Sequence, residues 1–340
     1  VINTGTATPR LDLLGPILQE GMPEEAYVAH KVLPTIIVQK RFGAIPSFLF
    51  TDAQALSIKH APKTGFAQIQ SKLGQSNFSC TEAGVEEPLS FEDYEILGRD
   101  YAQEVITRKL VHIVLRARDY ALSQALFSAG GEATLATNLV TAAAPWSGGD
   151  SSTGKPLDDV MTAKLNIAKQ TGAVGNAMLL SYEAYLNVCK NAQIRTSIRA
   201  NFGFGTGMGA SAVQLELPLA SLANLFGLDE IIIAPGVRDQ NAEGAANKNL
   251  TFLWPATYAM VFRKAKNNTD VREVALGRTF VYDLASTFNE LTTMNILDAM
   301  RALMLEQYPR PDINADVLRC REYIDMQVLV PQAGALIKSI

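Results

Sequence analysis

The chain has 340 residues, 48% of them apolar and 19% charged, with a formal net charge of −4. That composition excludes a disordered, collagen-like or low-complexity chain and supplies apolar side chains for a sizeable core in about two domains. The weak acidity argues against a basic nucleic-acid-binding domain, which needs a clustered positive surface to neutralise phosphates.

No apolar run approaches the roughly 18–20 residues that would span a bilayer, so no membrane association is expected. No basic segment followed by an apolar core opens the sequence, and no secretory signal is expected. A first residue of Val1 fits either a trimmed initiator or a cleaved N-terminal segment. Cys80, Cys189 and Cys320 lie far apart without a C-x-x-C pair, and His30, His60 and His112 are isolated. Neither a disulfide framework nor a metal site is expected, and a reduced cytoplasmic setting fits best.

Residues 1–42 do not read as the start of a globular domain. Pro9, Pro16, Pro23 and Pro34 would interrupt most helices. A short amphipathic helix is predicted near 11–19, where Leu11, Leu14 and Leu18 share a face. The segment is either a frayed terminus or an arm that lies on something else. Next, residues 44–51 and 66–73 read as strands, with a third short run at 77–81 and a polar tip over 57–65. Such a hairpin is marginal in water and needs a surface, on its own chain or on another subunit.

A long helix is predicted over 100–128, about 40 Å at ~1.5 Å per residue. Ser90 with Asp93, and Asp100 with Gln103, are candidate capping boxes, and Gly98 favours the later start. Ile106, Leu110, Ile113, Ala117, Ala121 and Ala125 define its predicted buried face. Arg108, Lys109, Arg116, Arg118 and Asp119 fall on the other faces, either solvated or paired across an interface. After a small-residue linker to Lys155, helices are predicted at 157–170, 182–190 and 219–226 and strands at 177–180 and 230–234. A strand pair is predicted within 250–263, so 155–265 reads as one α/β domain. A strand at 278–283, an apolar helix at 289–307 and an alternating strand at 323–330 complete the pattern.

The motifs that suggest catalysis are incomplete. Residues 149–155 fit G-x-x-x-x-G-K, but Pro156 replaces the hydroxyl residue that would ligate Mg²⁺. Residues 205–210 fit G-x-G-x-x-A, yet no β-branched strand precedes them and no convincing helix start follows. There is no G-x-S-x-G elbow. No catalytic, cofactor-binding or metal-binding residue is assigned, and no cofactor is expected.

The order of parts is more telling: arm, hairpin, long helix, α/β domain, return strand. Five pieces carry a resemblance in this order. They are the helix from Asp100-Tyr101-Ala102 to Ala125-Leu126-Phe127; Trp146-Ser147 leading into Pro156-Leu157-Asp158-Asp159; and Gly172-Ala173-Val174-Gly175-Asn176 into Leu179-Leu180-Ser181. Leu222 to Gly227 into Ile231-Ile232-Ile233, and Arg321-Glu322-Tyr323-Ile324-Asp325 followed by Pro331 to Ile337, complete them. So ordered, the chain resembles the major capsid proteins of tailed bacteriophages, over about residues 27–340.

The resemblance implies an α+β Hong Kong 97-like capsid fold. Residues 1–42 would be an N-terminal arm, 43–89 an extended loop reaching over a neighbouring subunit, and 90–154 a peripheral domain with its spine helix. Residues 155–265 would form the axial domain, and 266–340 the return to the peripheral domain, although the helix within 286–318 is longer than that pattern requires. The implied function is structural: hexamers and pentamers closing into an icosahedral shell around double-stranded DNA, bound without sequence specificity. Alternatives are a cellular encapsulating shell of the same fold and a soluble α/β nucleotide-binding enzyme. The implied partners are further copies of the chain, with scaffold, maturation protease, portal and decoration proteins. The implied location is the virion capsid, after assembly in the host cytoplasm. Candidate inter-subunit contacts are Phe48, Phe50, Ile58, Lys59, Lys63, Phe66, Ile69, Arg116 and Arg118. Loop lysines Lys59, Lys63 and Lys72 lack an identifiable Asn and Glu pair for the isopeptide cross-link known in the family.

Overall fold

In a computed structural model, the chain is described over residues 8–10, 12–13, 27–48, 73–146, 154–202, 217–241, 247–267, 270, 273–282 and 303–340. Two sheets share the long helix between them. The larger has six strands: β1 (Thr8–Pro9), β2 (Thr35–Val38), β5 (Thr81–Ser90), β12 (Gly277–Tyr282), β13 (Met304–Arg310) and β14 (Ala315–Val328). Its axis is β14. β13 pairs with residues 315–321 of β14 and β12 with 324–328, while β5 runs antiparallel along 315–324.

β5 is a strand that propensity does not favour, since Thr81–Ser90 contains Gly84, Pro88 and three glutamates. Cross-strand chemistry compensates. Arg321 donates to Glu82 at 3.1 Å, Tyr308 to Glu86 at 2.8 Å and Lys109 to Glu87 at 2.8 Å. A Cβ on Gly84 would stand 2.7 Å from the Cys320 carbonyl oxygen, so the close approach of the two strands requires glycine there.

The helix predicted for 289–307 is corrected at its end. Met304–Arg310 is strand β13, and Ile296 and Met300 lie outside the described residues. Alternation explains the strand. Leu303 and Leu305 face the core under the long helix, while Glu306 on the opposite face accepts from Arg319 and Arg321.

The described helices preceding the second sheet are α1 (Ala29–Val32), α2 (Phe91–Leu97), the spine helix α3 (Arg99–Leu126) and α4 (Ala129–Thr134). The spine runs 28 residues, or about 42 Å. Its buried face is displaced about one residue from the predicted one. Of the six predicted positions only Leu110 is buried; Ile106 and Ile113 are half-buried and Ala117, Ala121 and Ala125 exposed. Thr107, Arg118, Asp119 and Ser123 are buried instead, because the fold supplies each with a partner. Thr107 donates to the Gln103 carbonyl at 2.7 Å and Ser123 to the Leu253 carbonyl at 2.7 Å.

Asp119 ties down the segment before β2. Its carboxylate accepts the backbone N–H of Val28 at 3.0 Å and of Ala29 at 2.7 Å, opposing the burial that raises its proton affinity. Val28, Ala29, Val32 and Leu33 are core residues, and β2 joins the six-stranded sheet parallel to β12. Residues 27–38 are therefore part of the body rather than an arm.

Within this segment, burial next to Lys31, Arg118 and Lys264 holds His30 near a pKa of about 4. A depressed pKa gives a contribution that is complete above the unfolded value of 6.5 and is lost as pH falls towards 4. Urea stability is expected to drop by roughly 3 kcal/mol across that window, and His30→Gln to flatten the drop. Chemical denaturation at pH 4.5 and 7 checks this.

The second sheet has the order β6-β15-β11-β7-β8, from β6 (Val140–Thr141), β7 (Ala177–Ser181), β8 (Glu230–Ala234), β11 (Tyr258–Phe262) and β15 (Gly334–Lys338). Helices α5 (Pro156–Thr171), α6 (Tyr182–Lys190), α7 (Ala192–Phe202) and α8 (Leu219–Phe226) share its core on one face. The end of the spine, with Leu122, Leu126 and Phe127, covers the other. The sequence placed α5, β7, α6, α8 and β8 within one or two residues.

Two details differ. The strand pair expected within 250–263 is instead β11 plus a separate hairpin of β9 (Val237–Asp239) with β10 (Leu250–Phe252). The C-terminal strand β15 pairs between β6 and β11 of the α/β sheet, outside the 155–265 span read for that unit.

Candidate assembly interface

The hairpin of β3 (Phe42–Phe48) and β4 (Leu73–Ser79) leaves the body at the end of β14 remote from Ala315. Its base rests on its own chain. Ile45, Phe78 and Cys80 pack with Phe280 and Tyr323, the Phe78 and Phe280 rings stack at 5.0 Å, and the Arg41 guanidinium lies 4.1 Å over Tyr323. The sequence reading left the support open between the same chain and a neighbour; for the described base it is the same chain. Phe50, Ile58, Lys59, Lys63, Phe66 and Ile69 lie outside the described residues, as does the Phe48 side chain.

At the opposite end of β14, β5 leads into α2. Ser90 Oγ accepts the Asp93 N–H at 3.2 Å and Asp93 returns the favour to the Ser90 N–H at 3.0 Å, the capping box expected from the sequence. Gly98, at φ +79°, separates α2 from the spine in a conformation that L side chains rarely adopt. Ser90→Ala is expected to cost about 1 kcal/mol, read as a lowered urea midpoint.

α2 buries none of its seven residues. Phe91, Ile96 and Leu97 are exposed, Ile96 at 79%, and the apolar surface continues along the spine through Tyr101 at 60% and Val105. Tyr101 and Val105 are four residues apart and share a helix face. Glu92, Glu95 and Asp100 border this stripe, are exposed, and form no ion pair among the described residues. A seven-residue helix has little stability of its own in water. Contiguous exposed apolar residues with a polar border are the usual signature of a contact surface.

The sequence reading missed this stripe. Its signal was present as apolar residues at 91, 96, 97, 101 and 105, out of phase with the face expected to be buried.

The two arginines proposed as contacts divide. Arg116 is exposed. Arg118 is corrected: its guanidinium pairs with Glu322 of β14 inside the chain, with Nε 2.6 Å from the carboxylate and both side chains nearly inaccessible. A buried charge must be matched locally, which withdraws Arg118 from the solvated face. Asp119 leaves that face for the same reason.

Chemistry elsewhere is sparse. Burial raises the Cys80 thiol to about 11 and Cys320 to about 12, so neither is poised as a nucleophile. No group of three or more metal-ligating side chains occurs among the described residues. In that same set, no helix is long and apolar enough to cross a membrane.

Neither a family model nor a curated protein matches the sequence. Solved structures do match. A phage-related protein from Bordetella bronchiseptica RB50 superposes with a TM-score of 0.66 at 17% identity, covering 96% of each chain. A Mycobacterium phage Bobi chain gives 0.53 at 11%, covering 97% of this chain and 98% of its own. The putative capsid protein of a prophage of E. coli CFT073 gives 0.51 at 11%, covering 98% and 100%.

The chain has the Hong Kong 97-type capsid fold. The capsid fold accounts for the layout: a spine helix under one sheet, an α/β unit at its far end, and a hairpin projecting from the body. At these identities the likeness establishes architecture.

Proposed function

We propose that this chain is the major structural protein of a phage or prophage head, without catalytic activity. It forms hexamers and pentamers that close into an icosahedral shell around double-stranded DNA. The observation that carries the reading is α2, a helix with no buried residue whose Phe91, Ile96 and Leu97 face solvent in a single copy. A surface of this kind is stabilised when another subunit covers it, and heterologous contacts that close generate rings. The net charge of −4 suits a lining that does not trap packaged DNA. In that setting its partners are its own copies, with scaffold, protease, portal and decoration proteins acting on the shell during assembly in the host cytoplasm.

Purified protein at high concentration should sediment as rings or closed shells and show them by electron microscopy. A persistent monomer sinks the reading. Particles from the native source should contain double-stranded DNA; a protein cargo in its place would assign the chain to a cellular compartment.

The nucleotide-binding alternative fares poorly at the residues it needs. Lys155 lies 3.8 Å from Asp158, the first turn of α5 also carries Asp159, and the Leu157 N–H donates to Gln193 Oε1 at 3.1 Å. Acidic side chains and an occupied amide oppose a phosphate at that helix start. Nucleoside triphosphate with Mg²⁺ is expected to leave the melting temperature unchanged, for the native chain and for Lys155→Ala alike; a rise confined to the native chain would revive the enzyme.

A further inference from the structure

We propose that the open edge of β8 is a docking site for an extended segment of a partner protein, one that alternates apolar and acidic residues and adds to the α/β sheet as a sixth strand. The inference is independent of the shell reading and goes beyond it by assigning a partner of another kind.

The backbone is the first argument. β8 is the last strand of its sheet and, among the described strands, pairs with β7 alone. The Glu230 N–H donates to the Asn176 carbonyl at 3.3 Å, and alternation then turns the backbone of Glu230, Ile232 and Ala234 towards β7. Ile231 and Ile233 turn their N–H and C=O groups the other way, where no described residue hydrogen-bonds them. Ile231 is buried, so unpaired backbone groups in this recess gain from a partner strand. A cavity of about 680 Å³ touches Ile231, Ile232 and Ile233 together. Successive side chains of a strand point to opposite faces, so a space that meets all three runs along the edge and not over one face.

The walls are the second argument. On the helix side stand Tyr182, Tyr185, Leu217 and Leu219, with Tyr185 and Leu217 in the same core as Ile231. The Tyr185 hydroxyl donates to the Leu217 carbonyl at 2.6 Å and fixes that wall. Lys31 lines the cavity from α1, whose Ala29 and Val32 share the opposite core with Ile232. Lys31 forms no ion pair among the described residues, whereas Glu230, the acidic residue of the lining, is engaged by Lys264 at 2.6 Å. An added strand alternates in the same way, so it offers apolar side chains to the tyrosines and carboxylates to Lys31. Main-chain bonds to Ile231 and Ile233 supply affinity, and the two walls supply specificity. Walls on both sides leave room for a lone strand and not for the flanked edge of another copy's sheet, and each described strand of this chain is already paired.

The test probes the full chain with a pool of capped pentapeptides X-Z-X-Z-X, where X is Val, Ile, Leu, Phe or Tyr and Z is Glu, Lys or Ser. Peptides with Glu at Z should be retained. The best of them should slow hydrogen exchange at the Ile231 and Ile233 amides. N-methylation of one alternate set of its amides should abolish binding, and methylation of the other set should leave it intact. Lys31→Glu should weaken it about fivefold and shift the preference at Z to Lys, with the melting temperature of the chain unchanged. Failure to retain any peptide, equal retention of Glu and Lys peptides, indifference to Lys31→Glu, or exchange slowed only elsewhere overturns the proposal. Slow exchange of both amides in the free chain overturns it too, because a segment of this chain would then already fill the edge.

Discussion

Arg118→Ala is expected to destabilise the chain by roughly 3–5 kcal/mol, because it leaves the Glu322 carboxylate buried without its counter-charge. Glu322 lies on β14, the strand that binds β5, β12 and β13 together, and its side chain is 4% exposed against 6% for Arg118. Loss of the guanidinium therefore weakens the attachment of the spine to its sheet at a site water does not reach. The partner substitution Glu322→Leu alone should be comparably damaging. The double variant Arg118→Met, Glu322→Leu should recover most of the loss, since an apolar pair of similar volume is often as stable as a buried ion pair. Urea denaturation of the native chain, Arg118→Met, Glu322→Leu and the double variant closes the cycle. Additive losses, with no recovery in the double variant, would mean that the two side chains act independently.

Ile96→Asp combined with Tyr101→Asp is expected to abolish assembly while leaving the single chain folded. Both side chains are exposed in one copy, so the variant should match the native protein in circular dichroism and unfold within about 0.5 kcal/mol of it, as surface substitutions do. Burying each native side chain in a contact is worth about 1.5–3 kcal/mol, and a closed shell repeats that contact in every subunit. Sedimentation velocity should find the variant as small species at concentrations where the native chain forms shells. Shells of native size from the double variant would assign the stripe no part in assembly. A lowered urea midpoint would instead show that α2 supports the fold of the single copy.

The parts legible in the sequence were those whose burial is local. α5, β7, α6, α8 and β8 each carry their own apolar pattern and their own stop, such as Gly227 at the end of α8 with a left-handed backbone. The spine's start was legible for the same reason, from Gly98. Its buried face was not, because five of the residues there (Gln103, Thr107, Arg118, Asp119 and Ser123) are polar and qualify for burial only through hydrogen-bonding partners. The exposed stripe of α2 and the start of the spine was hidden by the same ambiguity. On a helix with apolar residues on more than one face, periodicity alone does not say which face the chain buries.

The order of elements, through its resemblance to the capsid proteins of tailed phages, was enough to point to the capsid architecture. What tertiary structure alone decided was the identity of β5 and β13 as strands, the place of β15 in the α/β sheet, and the inward turn of Arg118 and Asp119. Each depends on a partner distant in sequence. Glu82, Glu86 and Glu306 become strand residues when Arg321, Tyr308 and Arg319 come within hydrogen-bonding reach of them. Local preference cannot anticipate a charge that is neutralised from more than two hundred residues away, as Arg118 is by Glu322.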